Sequence, residues 1–267
     1  MSYSRFVSAS KISLTAAAPS AFIWVLFCFF AQPVDAGRQG NTTIDSFNQA
    51  KRILIKEIYR GRQMTFYCKS QYTQGKHVIH NSGYVPKKKS RIAYRLEWEH
   101  VVPLRSFGHK FSEWRDGHPE CVDDRGKPFK GRNCAEKMNI KFRYMMCDFY
   151  NLVPSIAEIS AFRSDHRFGM IPEEEREFGD CDIEIKNQKI EPPQYVRGDI
   201  ARIYFYMQWA YSALDIMNTE DEKLFKAWNA QDPVDAWECE RARRVEEIQI
   251  NENPFVKKAC IEEGLWQ

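Results

Sequence analysis

Arg95-Leu96-Glu97-Trp98-Glu99-His100-Val101-Val102-Pro103 sets two carboxylates and an imidazole side by side at the end of a run that reads as a β-strand. Charged side chains at such a place call for a reason. Histidine is the residue suited to take a proton near neutral pH, and a carboxylate is a natural ligand for a hard divalent cation. In an ideal strand Glu99 and His100 point to opposite faces, so a shared site requires the strand to bend or finish there, and Pro103 favours that. A Glu-His pair taken alone is more often a surface carboxylate beside a hydrogen-bonded histidine.

The surroundings change that weighing. After Phe107 the residues to Asn133 include Gly108, Gly117, Pro119, Gly126, Pro128 and Gly131 among many charges, which is a long loop, and long loops inside a domain are commonly functional. Residues 87–143 carry 15 Lys+Arg against 8 Asp+Glu, whereas residues 171–267 carry 12 against 22. The whole-chain charge is only +3. Such a split implies a positive face fit to meet phosphate, or else a solvated loop. Lys87, Lys88, Lys89, Arg91 and Lys110 are lesser contact candidates than solubilising charges. Residues 141–151 read as helical, with Pro154 ending the helix just past Asn151. An asparagine there is by default a local hydrogen-bonding or capping residue.

Working outward, residues 44–60 space apolar side chains as an amphipathic helix that stops at Gly61. Residues 64–68 and 91–100 read as strands, and residues 181–186 alternate like another. Residues 199–214 form a helix burying Ile200, Ile203, Tyr204, Met207, Tyr211 and Leu214. Three more helices follow, carrying Leu224, Phe225 and Trp228, then residues 234–248, then Asn253-Pro254 to Cys260. Tyr204-Phe205-Tyr206 spreads around its helix, so core packing is a better reading than a base-stacking platform. The expected fold class is α+β: one mostly helical, disulfide-bonded domain over residues 37–267.

At the N-terminus, Arg5 and Lys11 precede an uncharged apolar run over residues 16–31, with Val34 and Ala36 where a signal peptidase reads. Residues 1–36 are expected to be a cleaved signal peptide rather than an anchor, because the run falls short of the ~20 apolar residues that span a bilayer. An oxidising destination suits the cysteines beyond the cut: Cys68, Cys121, Cys134, Cys147, Cys181, Cys239 and Cys260. Their number is odd, so one at least stays unpaired within the chain. Locality favours Cys121 with Cys134 and Cys239 with Cys260, and without a C-x-x-C pair a zinc site is disfavoured.

These pieces together resemble the endonuclease I family of bacterial periplasmic and secreted nucleases, members of the ββα-metal (His-Me finger) superfamily. The likeness runs from Glu97-Trp98-Glu99-His100-Val101-Val102-Pro103 through Trp114-Arg115-Asp116-Gly117, Asn133-Cys134-Ala135, Asn151-Leu152, Glu191-Pro192-Pro193, Arg197-Gly198 and Tyr204-Phe205-Tyr206-Met207. It continues to Trp237-Glu238-Cys239-Glu240-Arg241 and Asn253-Pro254. The resemblance implies His100 as general base and Glu99 and Asn151 as ligands of magnesium, with manganese or calcium open. It implies an arginine on the scissile phosphate, best matched by Arg132, with Arg115 or Arg143 open because the loop carries extra residues. Ser70 and Asn81-Ser82-Gly83 stand where some family cysteines are missing, and Cys121 and Cys147 look like additions.

The function so implied is metal-dependent cleavage of DNA, and of RNA if sugar discrimination is weak, by a monomer that leaves 5′-phosphates. Contacts to backbone phosphate would make it indifferent to base sequence and steeply salt-dependent. Two rivals belong to other classes. One is an exported protein that binds through the positive face without cutting; the other is a zinc protease, against which the absence of H-E-x-x-H argues.

Overall fold

The computed structural model describes residues 1, 40–87, 90–173 and 175–266. The expected signal peptide, Lys88 and Lys89 lie outside the described residues. No helix among the described residues is long and apolar enough to cross a membrane.

The first helix, α1 (Phe47–Ile53), begins at Ser46, whose hydroxyl accepts from the Gln49 N–H, and runs on as one π-helical turn over Leu54–Ile58. It buries Leu54 and Ile58, as the spacing of Ile44, Phe47, Leu54 and Ile58 anticipated, and Ala50 and Ile55 besides. The expected strand at 64–68 is instead a turn. Thr65 and Ser70 pair across it, and the Cys68–Cys181 disulfide pulls Cys68 out of any ladder. A small hairpin follows, β1 (Gln71–Tyr72) with β2 (Val78–Ile79).

Only the second half of the expected strand at 91–100 is extended. Residues Arg91–Tyr94 make a 3₁₀ turn, because the Ala93 carbonyl accepts from His80 Nε2 and the Tyr94 ring stacks on His80 with centroids 4.3 Å apart. Then comes β3 (Leu96–His100), which pairs antiparallel with β4 (Leu152–Ile156) in the register Leu96↔Ile156 through His100↔Leu152. Pro154 is accommodated because each strand of a two-stranded ladder is an edge. The stretch after Asn151 is therefore a strand, not the end of a helix.

Between these strands lie α2 (Leu104–Gly108), α3 (Ser112–Arg115), α4 (Arg132–Met138) and α5 (Ile140–Met146), so the long loop carries two short helices. The Cys121–Cys134 disulfide ties its tip to α4. Directly after β4 runs α6 (Ala157–Arg163), which packs on both strands and was not anticipated. Two-residue β5 (Arg167–Phe168) pairs with β7 (Lys189–Glu191), which also pairs with β6 (Glu184–Lys186).

The C-terminal part is helical as expected: α7 (Arg197–Ala210), α8 (Thr219–Gln231), α9 (Ala236–Gln249) and α10 (Pro254–Glu262). Tyr204 and Tyr206 are buried, in keeping with core packing. The Cys239–Cys260 disulfide staples α9 to α10, and Cys147 is the free, buried cysteine among those described. Both locally favoured bridges are present.

One buried carboxylate joins this helical layer to the strands. Asp148 accepts from the hydroxyls of Tyr206 and Tyr211, from Gln249 Nε2 and from the Tyr150 N–H at 2.7–3.0 Å. Burial raises its pKa, and these donors pull it back. It fixes the turn between Met146 and Asn151, the segment that lies across the end of β3.

Candidate active site

The end of β3 is buried on both sides, which explains how charged residues can occupy it. Glu99 is 5 % exposed and His100 9 %. The strand stays regular to His100 and finishes there, so the two side chains meet different surroundings, as strand alternation requires.

On the Glu99 side, Tyr67 donates its hydroxyl to Oε1 at 2.9 Å and Ser160, from α6, donates to Oε2 at 2.8 Å. Arg163 completes the group, its Nε 3.5 Å from Oε1. The Arg163 guanidinium also donates to the carbonyls of His100, at 2.7 Å, and of Val101. It thus clamps the backbone at the strand end to the last turn of α6. Burial lowers the pKa of Arg163, but the Glu99 charge together with Tyr67, Tyr204 and Asp165 raises it overall. Burial, then the neighbouring Glu99 charge, pushes the Tyr67 phenol well up, so Tyr67 stays a donor.

On the other side, His100 Nε2 lies 2.8 Å from the Met146 carbonyl. A carbonyl only accepts, so Nε2 carries the proton and Nδ1 holds the lone pair of the neutral ring. Burial lowers the pKa to about 3, the Met146 carbonyl opposes this, and Arg132 and Arg163 add to it. At neutral pH the imidazole is a proton acceptor. The Phe47 ring stacks on it, with centroids 5.5 Å apart and planes at 23°.

Arg132, the first residue of α4, is brought to this side. Its guanidinium lies 5.4 Å from the Phe47 centroid and its Nη2 is 3.8 Å from Met146 Sδ. Its ion pair with Glu136, at 3.8 Å and half exposed, is weak and leaves the donors available. The two other arginines considered for this place are engaged elsewhere. Arg115 donates to the carbonyls of His109 and Lys110, and Arg143 pairs with Asp45 at 3.3 Å. Lys87 is held by Glu177 at 2.6 Å.

Asn151, the second ligand implied by resemblance, hydrogen-bonds to backbone just past the end of β3. Its Oδ1 accepts from the Val102 N–H at 2.7 Å and its Nδ2 donates to the Val102 carbonyl at 3.0 Å, with the side chain wholly buried. Both ends of the amide satisfy backbone that the finished strand leaves unpaired. Glu99 and Asn151 share no hydrogen-bond partner. The side-chain oxygens set against Glu99 are those of Tyr67 and Ser160.

Residues 43–260 match the family described as Endonuclease I. The chain belongs to the endonuclease I family. It is 36% identical over 222 residues to a periplasmic deoxyribonuclease of Aeromonas hydrophila, covering 80% of this chain and 86% of the relative. It is 37% identical over 223 residues to an extracellular deoxyribonuclease of the same organism, covering 80% and 90%. An Endonuclease-1 of Buchnera aphidicola is 36% identical over 225 residues, covering 82% and 83%.

In this endonuclease I member, four residues around the strand end escaped sequence reasoning: Phe47, Tyr67, Ser160 and Arg163. Tyr67 and Phe47 come from distant segments and leave no local signal. Ser160 and Arg163 had one, since Ile156, Ile159 and Phe162 recur at helical spacing immediately after the second strand.

Proposed function

We propose that the chain is an exported, metal-dependent, sequence-nonspecific endonuclease that hydrolyses phosphodiester bonds of DNA, and of RNA if sugar discrimination is weak, leaving 5′-phosphates. The observation that carries the reading is His100: a buried imidazole kept neutral by burial, oriented by the Met146 carbonyl, at the end of the strand that also bears Glu99. The succession β3, β4, α6 serves as the ββα-metal unit, and residues 1–36 as the export signal.

The donor set can be tested against magnesium. Among the described residues there is no group of three or more His, Cys, Asp or Glu able to hold a metal. Magnesium tolerates a sparse protein set because it keeps several waters. Glu99 offers a carboxylate, Asn151 a neutral amide oxygen that keeps a second lone pair beside its bond to the Val102 N–H, and Ser160 orients Glu99 Oε2 from 2.8 Å. Such a donor set suits magnesium, with Glu99 and Asn151 holding the ion. Manganese and calcium share the oxygen chemistry.

Bound there, magnesium would supply positive charge to the scissile phosphate and the leaving oxygen. His100 Nδ1 removes the proton from water as it attacks phosphorus in line, and the P–O3′ bond breaks. Arg132 donates to phosphate oxygens. Arg163 and Asn151 keep the end of β3 in place so that the imidazole does not wander. Indifference to sequence follows because the partners are phosphates rather than base edges.

The deciding experiment is a plasmid-nicking assay of purified oxidised protein in magnesium, quenched with EDTA, with RNA in parallel. Wild type should nick and His100→Ala should not, while both bind DNA. Binding without cleavage by wild type would favour the exported binding protein instead. A single species at the monomer mass in sedimentation is expected.

A further inference from the structure

Phe47 is the point at which three separate elements meet. Its ring, on the first turn of α1, stacks on His100 at 5.5 Å. One helical turn later, Lys51 places Nζ 4.8 Å from the same ring's centroid, and the Arg132 guanidinium of α4 stands 5.4 Å from it. The ring and Lys51 are half-buried and Arg132 is exposed, so the group opens to solvent from a buried floor. Among the described residues no carboxylate pairs with Lys51.

Two cationic heads around one ring repel each other and are each attracted to its face. An anion between them removes the repulsion. A stacked ring on one face of the imidazole and a carbonyl on its edge leave it no freedom to rotate. The same side chain therefore fixes the plane of the base and the places of two phosphate donors relative to it.

We propose, resting on the nuclease reading, that Phe47 is the positioning residue for His100 and that Lys51 completes with Arg132 a two-cation clamp for the backbone phosphates at the scissile bond. The N-terminal helix is then part of the substrate track rather than a packing element alone. Lys51 grips through charge, and Phe47 sets the angle at which the imidazole faces the bound phosphate.

The test uses the full mature protein and a short DNA duplex. Phe47→Ala should lower kcat by about tenfold or more with a smaller change in KM, since it loosens geometry and not binding. Phe47→Tyr, which keeps the ring, should restore most of kcat, and Phe47→Leu, which keeps apolar bulk and the fold, should not. Lys51→Ala should raise KM several-fold. In the non-cleaving His100→Ala background, it should flatten the slope of log affinity against log salt by about one, with Lys51→Arg retaining the slope.

A folded Phe47→Ala with kcat within twofold of wild type, or full activity in Phe47→Leu, overturns the positioning claim. An unchanged salt slope in Lys51→Ala overturns the clamp, whether or not the enzyme cuts. Failure of wild type to cleave at all would instead remove the nuclease reading and the positioning claim together, and the binding slope would still report on Lys51.

Discussion

The Ser160 hydroxyl donates to Glu99 Oε2 at 2.8 Å, joining a carboxylate at the end of β3 to the middle of α6. No cysteine or histidine is involved, so the pair suits a hard cation. Ser160→Ala should therefore raise the magnesium concentration for half-maximal DNA nicking roughly tenfold with little loss of stability. Asn151→Ala should raise it too, and at a cost to the fold. It strands the Val102 N–H and C=O in a buried place, costing about 1–3 kcal/mol for each, so it adds a lower melting temperature. A Ser160→Ala protein that titrates with magnesium like wild type would show that Ser160 does not orient Glu99 for the cation.

Arg163 serves Glu99 and the backbone carbonyls of His100 and Val101 at once from a buried position. Removing it leaves the Glu99 charge without its cation and two carbonyls without their donor. Arg163→Leu is expected to destabilise the fold by about 3–5 kcal/mol, more than breaking an exposed ion pair. Adding Glu99→Gln should recover part of that loss, because the stranded charge is then gone. Urea unfolding of the two variants and the double variant measures the coupling, and strict additivity would argue against it.

How far the sequence discloses this site depends on how local each signal is. Glu99 and His100 announce themselves, since charge at a strand end is costly without purpose, and the C-terminal helices follow from apolar spacing and caps such as Asn253-Pro254. The strand containing Pro154 reads as a helix stop, because proline is a breaker in either element and only the pairing with β3 decides. Asn151 is legible as a functional asparagine, yet its hydrogen bonds to the backbone of Val102, just past the end of β3, are tertiary contacts without a local signal. Phe47 is legible as an apolar residue of its helix, but its stacking on His100 is a tertiary contact without a local signal.

Ser70 and Ser82, the first at the position where a cysteine pair would be completed and the second in the Asn81-Ser82-Gly83 turn, face each other with hydroxyl oxygens 2.7 Å apart. Replacing both, Ser70→Cys with Ser82→Cys, should yield a fourth disulfide in the oxidised protein. Closing so short a loop stabilises by up to about 3 kcal/mol. Thiol titration under denaturing conditions should find Cys147 alone. Two additional free thiols would show that the pair cannot reach bonding geometry.

Acid should weaken the metal-free fold through His100. In the unfolded chain a histidine titrates near its ordinary value of about 6.5, whereas burial in the fold holds His100 at about 3. Below the unfolded value the unfolded chain binds a proton that the folded one refuses. The stability due to the neutral ring is thus fully present above about pH 6.5 and is lost as pH falls from there towards 3, by at most about tenfold in the folding constant per pH unit. Asp148 acts with the opposite sign, since burial raises its pKa and its protonated form favours the fold in acid. Comparing wild type with His100→Gln isolates the first effect, because the glutamine cannot titrate and Asp148 is common to both. With EDTA present, the stability difference between them should narrow steadily as pH is lowered from 6.5 to 4. A difference that stays constant over that interval would mean that His100 is protonated in the fold as readily as outside it, and that burial does not hold it neutral.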